Sequence, residues 1–353
     1  MTLYVWKWDG GQFSKTAVID YGSSIIWRKC YNTAGDFELY VRATPELMEL
    51  FHSYTTIITR SGHNEIMIVD KIDLNTSVDD GDYLIISGQS GESILGYRVF
   101  TKQWNYSNWY AESMIRDMIN TQIISPTDLT RAIGLVRLGT NHGWAVKTSK
   151  QVVGKNLLTV ITDVCESFGW GFEMVWNGQS LTFELYEGSN RSSGSLPHVV
   201  FSSEYENLGN TEYSRDHGTY FNSIYVAGEG EGSDRVVVNE KTGRTGLFLR
   251  EMWVDARNTS STTEGGTLSP SEYREMLLGQ AKEELELHKD TIYYNGEVFD
   301  TSVYQYGKDY FLGDKVTVIN DYGIKGTAIV SEITEVEDST GYRIYPTLTE
   351  WSV

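Results

Sequence analysis

Over the first hundred positions apolar and polar residues alternate in short runs separated by turn residues. Asp36-Phe37-Glu38-Leu39-Tyr40-Val41-Arg42 places an apolar side chain at every second position, the period of a strand with one wet face. Trp6-Lys7-Trp8 and Gln12 to Asp20 flank Asp9-Gly10-Gly11, which signals a hairpin. Thr44 followed by Pro45 opens a short helix through His52, with Thr44 as cap and Pro45 at the first position. Tyr54 to Arg60 and Glu65 to Leu74 read as strands joined through Ser61-Gly62-His63-Asn64. Asp79-Asp80-Gly81-Asp82 reads as a turn into Tyr83 to Ser87. So many hairpin-linked strands predict a small barrel or sandwich over residues 1–100.

After Gly96 the period lengthens. Trp109 to Ile123 has apolar residues at helical spacing (Met114, Ile115, Met118, Ile119), with Asn108 as its expected cap. Gly154 to Phe168 predicts a second amphipathic helix, with Leu157, Leu158, Ile161, Val164, Cys165 and Phe168 on its apolar face and Gly169 at its stop. Strands at Gly171 to Trp176 and Ser180 to Glu187 surround the Asn177-Gly178 turn. Residues 101–205 thus predict an α+β domain ending near the polar Gly188 to Pro197 segment. From His198 strands return: Tyr220 to Val226, Val236-Val237-Val238 and Leu247 to Val254. Ser269 to His288 predicts the longest helix, in which Ser269 and Glu272 fit a capping box around Pro270. Strands resume from Thr291. The third unit is therefore 206–353, β-rich with a helix-containing insertion at about 240–290.

Composition narrows the function classes. The 353 residues carry 29 Lys+Arg against 48 Asp+Glu, a net charge of −19 with pI about 4.7. Such a surface repels phosphate and argues against tight DNA binding. An aromatic share of 13% supplies the burial that disordered chains lack. No apolar run reaches the ~18 residues of a membrane span, and the N-terminus lacks the basic-then-apolar pattern of a signal peptide. Two cysteines, Cys30 and Cys165, read as reduced thiols of a cytosolically made protein. The sequons at Asn105 and Asn258 then carry no meaning.

Candidate chemistry is sparse. The six histidines are scattered, with no HExxH, CxxC or DxDxDG spacing, so no metal or cofactor is expected. Gly88-Gln89-Ser90-Gly91 resembles part of a nucleophile elbow, but its second Gly is one position early and it reads as a turn. Gly228-Glu229-Gly230-Glu231-Gly232-Ser233-Asp234-Arg235 looks superficially like a phosphate loop. Glu229 and Glu231 would repel a phosphate and the following residues are strand-like, so a glycine-permitted bend or bulge is expected. Asp234 and Arg235 could then pair with Glu251, Asp255 or Arg257 on a neighbouring strand or subunit. Trp104, Tyr106, Trp109 and Tyr110 could stack on sugars, or pack a domain junction, the preferred reading. No residue is nominated for catalysis.

Several segments together resemble the baseplate-hub and tail-associated (tail-tip) proteins of long-tailed phages, in the siphovirus branch. They are Gly35 to Tyr40, Arg60 to Asp70, Ile85 to Gly88, Leu95 to Arg98, Asn222 to Arg235, Arg250 to Arg257 and Tyr310 to Val318, in that order. The resemblance implies a β-rich α+β fold with two related small β-barrels, an α+β domain between them and a helical insertion in the second. It implies a homotrimeric ring that joins a sixfold tail tube to a threefold tip and gates passage of the tape measure and DNA. The expected partners are a distal tail protein, the tape-measure protein and receptor-binding or tip proteins. DNA is expected only in transit, without membrane insertion, in a virion component made in the host cytoplasm. Gly228 to Arg235 and Arg250 to Arg257 are the first candidates for interfaces. A cell-wall glycosidase, with two carboxylates in a cleft, and a carbohydrate-binding module built on residues 104–110 are the competing readings.

Overall fold

The structure, a computed structural model, describes all residues except 21, 23, 53–55, 78–80, 193, 264–265, 299–302, 324 and 353; for 210, 211, 263, 291–298 and 350–352 it describes the backbone alone. Asp79, Asp80 and the first residues of the strand expected from Tyr54 lie outside the described residues.

The N-terminal strands are β1 (Leu3–Trp8), β2 (Phe13–Ile19), β3 (Ser24–Cys30), β4 (Asp36–Arg42), β5 (Thr56–Arg60), β6 (Ile66–Asn75) and β7 (Tyr83–Ser90). They pair antiparallel in the order β3-β4-β7-β6-β5-β1-β2. The expected hairpin joins β1 to β2, with Gly10 at φ +93° and the Asp9 carboxylate accepting from the Gly11 and Gln12 amides. β4 buries Phe37, Leu39 and Val41 and leaves Glu38 and Arg42 wet, as its alternation requires. Helix α1 (Pro45–Phe51) starts where expected, the Thr44 hydroxyl accepting from the Leu47 amide at 3.2 Å, and drives Leu47 and Phe51 into this core. β5 and the first four residues of β6, Ile66 to Val69, are buried on both faces. Ile58, Met67 and Val69 meet the first core, while Ile57, Ile66 and Ile68 meet the next. A strand covered on both sides has no polar face, so these runs do not alternate.

The Gly88 to Gly91 segment is not a turn. Gly88, Gln89 and Ser90 complete β7, and Gly91 opens a 3-10 helix to Tyr97. A Cβ on Gly88 would lie 1.8 Å from the Ile68 carbonyl oxygen, so close strand approach requires glycine there.

The middle elements are β8 (Trp104–Tyr110), α2 (Ala111–Ile119), β9 (Val136–Leu138), β10 (Lys147–Val152), α3 (Leu157–Phe168), β11 (Gly171–Trp176) and β12 (Leu181–Tyr186). The helix expected from Trp109 begins two residues later. Trp109 and Tyr110 end β8, which pairs with β10, and Asn108 sits at φ +56° beside a ladder irregularity instead of capping. Strand pairing has overridden the local helical period. α3 matches its expected apolar face. Asn156 caps it by accepting from the Leu158 amide at 2.9 Å, and Gly169 ends it at φ +68°.

The remaining elements are β13 (Asn190–Arg191), β14 (Val200–Ser202), β15 (Leu208–Asp216), β16 (Ser223–Ala227), β17 (Val237–Lys241), β18 (Glu251–Asp255), β19 (Thr262–Thr263), β20 (Gly266–Thr267), α4 (Pro270–Leu287), β21 (Thr291–Val298), β22 (Lys315–Ile319), β23 (Lys325–Asp338) and β24 (Gly341–Ser352). α4 carries the expected capping box of Ser269 and Glu272. It packs Tyr273, Leu277 and Ala281 on Ile224 and Val226 of the three-stranded sheet β17-β16-β18. β23 pairs with β22 and β24 and also with β3, from Ser24↔Asp338 to Cys30↔Glu332. The chain is therefore β-rich with few helices, and one continuous ladder joins its two ends. Among the described residues that path runs from β13 to β2 and does not close on itself.

Candidate functional site

Of the residues nominated around the glycine-rich segment, Arg235, Asp255 and Arg257 come together, whereas Asp234 is exposed at the tip and Glu251 lies at the other end of its strand, opposite Ser223. β16 and β17 are antiparallel neighbours, and residues 228–235 are the connection between them. The expected bend is thus a hairpin loop, with Gly230 at φ +100° and a short 3-10 turn over Gly232–Asp234. β18 runs parallel on the other side of β16. This brings Arg235 to Asp255, the cross-strand pair anticipated from sequence, at 2.5 Å. Arg235 also donates to the Gly228 and Ala227 carbonyls at 3.0 and 2.8 Å. Arg257 holds both oxygens of Asp255, and this hydrogen bonding, with help from Arg235, keeps the Asp255 carboxyl below its usual range.

Glu229 is tied down from the other side. Burial opposes its charge, but the Ser261 and Ser260 hydroxyls donate to it and hold its carboxyl below the ordinary range. Its amide donates to the Tyr273 hydroxyl at 2.7 Å, and that hydroxyl donates to the Thr259 carbonyl at 2.8 Å. A Cβ on Gly228 would stand 2.3 Å from the same hydroxyl oxygen. The loop is a corner in which Glu229 is tied down while Glu231 and Asp234 stay exposed, with no amide cradle at a helix N-terminus. Beside it Tyr225 and Trp253 stack at 6.5 Å on the face away from α4, Glu251 holds the Tyr225 hydroxyl and pushes its pKa up, and Trp253 stays exposed.

The aromatic segment divides. Tyr106 is buried, stacks near Trp104 and meets Trp109 edge-on at 5.1 Å. Its hydroxyl donates to Asp117 at 2.8 Å. Trp104 packs on the middle core, whereas Trp109 and Tyr110 are exposed, with the Lys147 ammonium over the Tyr110 ring. The four side chains do not form one sugar-stacking platform.

A second constellation had no motif in the sequence. Arg60 of β5 and Glu335 of β23 lie 275 residues apart and are 1% and 3% exposed, joined at 2.6 and 3.0 Å. The Arg60 guanidinium also pairs with Glu65 and covers the Trp27 ring at 4.6 Å. Lys29 of β3 lies 3.6 Å from Glu65 and 3.8 Å from Glu335. Burial opposes the charge of Glu65 and Glu335, but the cations and hydrogen bonds around them hold both carboxyls below their usual range. The available signal was a charge on an apolar row: Glu335 continues the inward line of Ala328, Val330 and Ile333.

Next to this clasp is a cavity of about 220 Å³, lined in part by Lys29, Glu65, Glu92, Glu173 and Tyr306. Burial pushes the carboxyls of Glu92 and Glu173 up, and Glu92 accepts from the Met174 amide at 2.7 Å. Carboxyls shifted down and carboxyls shifted up thus face one space, the arrangement a glycosidase would need. The volume, however, falls below the ~300–1,000 Å³ of ligand pockets. Among the described residues no cluster of His, Cys, Asp and Glu could hold a metal ion. Cys30 and Cys165 are both free thiols; burial pushes Cys30 up to about 12 and Cys165 higher.

The chain is similar over nearly its full length to solved tail proteins. The 43 kDa tail protein of prophage MuSo2 from Shewanella oneidensis is 14% identical, with TM-score 0.59 over 99% of this chain and 98% of the other. The tail protein from Neisseria meningitidis MC58 is 15% identical, with TM-score 0.57 over 99% and 96%. Prophage tail protein gp18 from Listeria monocytogenes EGD-e is 12% identical, with TM-score 0.54 over 100% and 95%. At these identities the likeness establishes the fold. No curated protein matches the sequence. The family model described as Siphovirus ReqiPepy6 Gp37-like protein matches residues 2–348, and the chain belongs to that family.

Proposed function

We propose that this chain is a structural, non-enzymatic hub of a phage tail tip. Three copies close into a ring through heterologous contacts, which form a ring where the rotation closes. Each copy contributes two related barrel-like modules, one from β1–β7 and one built around β22–β24, so a threefold ring offers six faces to the tail tube. The α+β elements between them and the β16–α4 layer face outward toward a distal tail protein and receptor-binding or tip proteins. The lumen holds the tape-measure end and later passes DNA, and carboxylates along it keep the phosphate backbone from sticking. The Gly228–Arg235 corner and the Arg250–Arg257 stretch are contact surfaces of this assembly.

The observation that carries this reading is the family match across residues 2–348, in a chain whose fold is shared with tail proteins end to end. The charge of −19 fits a conduit that must not retain DNA. The test is mass and symmetry in solution. Light scattering across a concentration range, followed by electron microscopy, is expected to give threefold particles of three 40.0 kDa chains. Particles of any other symmetry remove the ring, and a basic lumen in the assembled potential map removes the repulsive conduit. A cell-wall zymogram is expected to show no clearing. Clearing abolished by Glu92→Gln would replace the hub with the glycosidase reading.

A further inference from the structure

The last residue of β17 and the crossover to β18 form an unusual ten-residue stretch. Lys241-Thr242-Gly243-Arg244-Thr245-Gly246-Leu247-Phe248-Leu249-Arg250 holds three cations and no anion, in a chain of net charge −19. Leu247 and Phe248 sit in a one-turn 3-10 helix at its tip and are 91% and 71% exposed. Burying two such side chains against a partner would contribute about 1.5–3 kcal/mol each, so their exposure in the free chain is an unused source of affinity.

The tip is held from below. Asn222, fully buried, donates from its side-chain amide to the Phe248 carbonyl at 2.8 Å and accepts from the Arg250 amide at 2.9 Å. Its backbone carbonyl accepts from the Thr242 amide at 3.0 Å, so one residue pins both stems. The Arg250 guanidinium donates to the His217 carbonyl as a further strut. An apolar pair on a pinned stem meets a partner at little ordering cost, which is how preorganised contacts gain affinity.

We propose that this tip is a docking element whose occupant is an acid-rimmed apolar surface on a second copy of the same chain, and this assignment rests on the ring reading above. Charge complementarity selects that occupant. With its cations set aside, the rest of the chain is more acidic than −19, so a neighbouring copy carries a large excess of carboxylates. An anionic bilayer would also attract Lys241 and Arg244, but the acidic body behind them would be repelled.

The experiment compares the wild-type chain with Leu247→Asp/Phe248→Asp and with Arg244→Glu, after circular dichroism has shown all three folded. Light scattering over a concentration series is expected to give a trimer for the wild type. At least a tenfold weaker association is expected for the double variant, and a smaller, salt-sensitive weakening for Arg244→Glu. A wild-type trimer with an unchanged double variant overturns the tip assignment and leaves the ring standing. A wild type monomeric throughout overturns both. Co-sedimentation with phosphatidylglycerol vesicles, lost in the double variant while the trimer persists, would assign the tip to lipid instead. A photo-crosslinking residue at position 247 is expected to join two chains. The same residue at Leu129, an exposed apolar position outside this cationic stretch, serves as control; equal crosslinking from both positions overturns the proposal.

Discussion

Replacing Glu335 by Ala removes one partner of an enclosed ion pair and leaves the other in place. Arg60 then keeps only Glu65 as an anionic partner, while its guanidinium stays 1% exposed under the β3–β23 ladder. Lys29 and the Tyr342 hydroxyl lose the same partner. Breaking a buried pair from one side costs about 3–5 kcal/mol, since a charge is left without compensation. The residual Glu65 contact places the expected value at the lower end. Replacing both members with apolar residues of similar volume, Arg60→Met with Glu335→Leu, removes the uncompensated charge and should recover most of the loss. The assay is urea unfolding followed by tryptophan fluorescence, because Trp27 lies directly beneath the Arg60 guanidinium. The reasoning fails if Glu335→Ala costs under about 1 kcal/mol, a value typical of exposed pairs. It fails equally if the double variant loses the sum of the two single losses.

Glu92→Gln keeps an acceptor for the Met174 amide and removes a titrating group whose folded pKa is raised above its ordinary 4.5. A raised carboxyl stabilises below the unfolded pKa and loses that contribution as pH rises through the folded value. The variant should therefore gain melting temperature over wild type progressively as pH rises above 4.5; parallel profiles would refute this. Glu65 and Glu335 have the opposite sign, so the loss of stability on acidification below 4.5 should persist in the variant. Gly228→Ala forces a Cβ against the pinned Tyr273 hydroxyl and should cost about 1–3 kcal/mol in thermal unfolding. Asn156→Ala deletes the cap of α3 and should cost about 1 kcal/mol in urea unfolding.

What was legible in the sequence was local. Thr44-Pro45, Gly169 and the Ser269/Glu272 box each mark a helix end, and each does so through backbone groups within a few residues. The WNYSNWY segment misled because helical spacing after Met114 extended naturally back to Trp109, whereas the pairing of β8 with β10 is decided about forty residues away. In the candidate site, Arg235 and Asp255 could be matched because both lie in segments that read as strands or their ends. The bonding of Glu229 to Ser260 and Ser261 could not, since it depends on where α4 and its preceding loop come to rest. The Arg60–Glu335 clasp has no spacing at all. Only an inward-facing charge betrays it, and that shows only once the register of β23 is known.

The clasp bears on that register, because a shifted pairing would break it. On β23 the inward line is Gly326, Ala328, Val330, Ile333 and Glu335, and the neighbouring line ends in Thr334, Val336 and Asp338. Near the C-terminal end of the strand both lines thus offer one β-branched apolar residue, and apolar pattern alone discriminates weakly between them. A slip by one residue against β3 would turn Glu335 to the opposite face. Arg60 and Lys29 would then share Glu65 as their remaining carboxylate, and the cost of an under-compensated buried guanidinium would fall on the wrong register. The ion pair adds little to the stability of the right pairing relative to an apolar substitute, but it raises the energy of the wrong one. A ladder that joins two ends of a chain about three hundred residues apart has no connecting turn to set its alignment, and the buried charge is one of the groups, with the Met1–Glu337 and Arg28–Glu332 pairs, that a shifted pairing would disrupt.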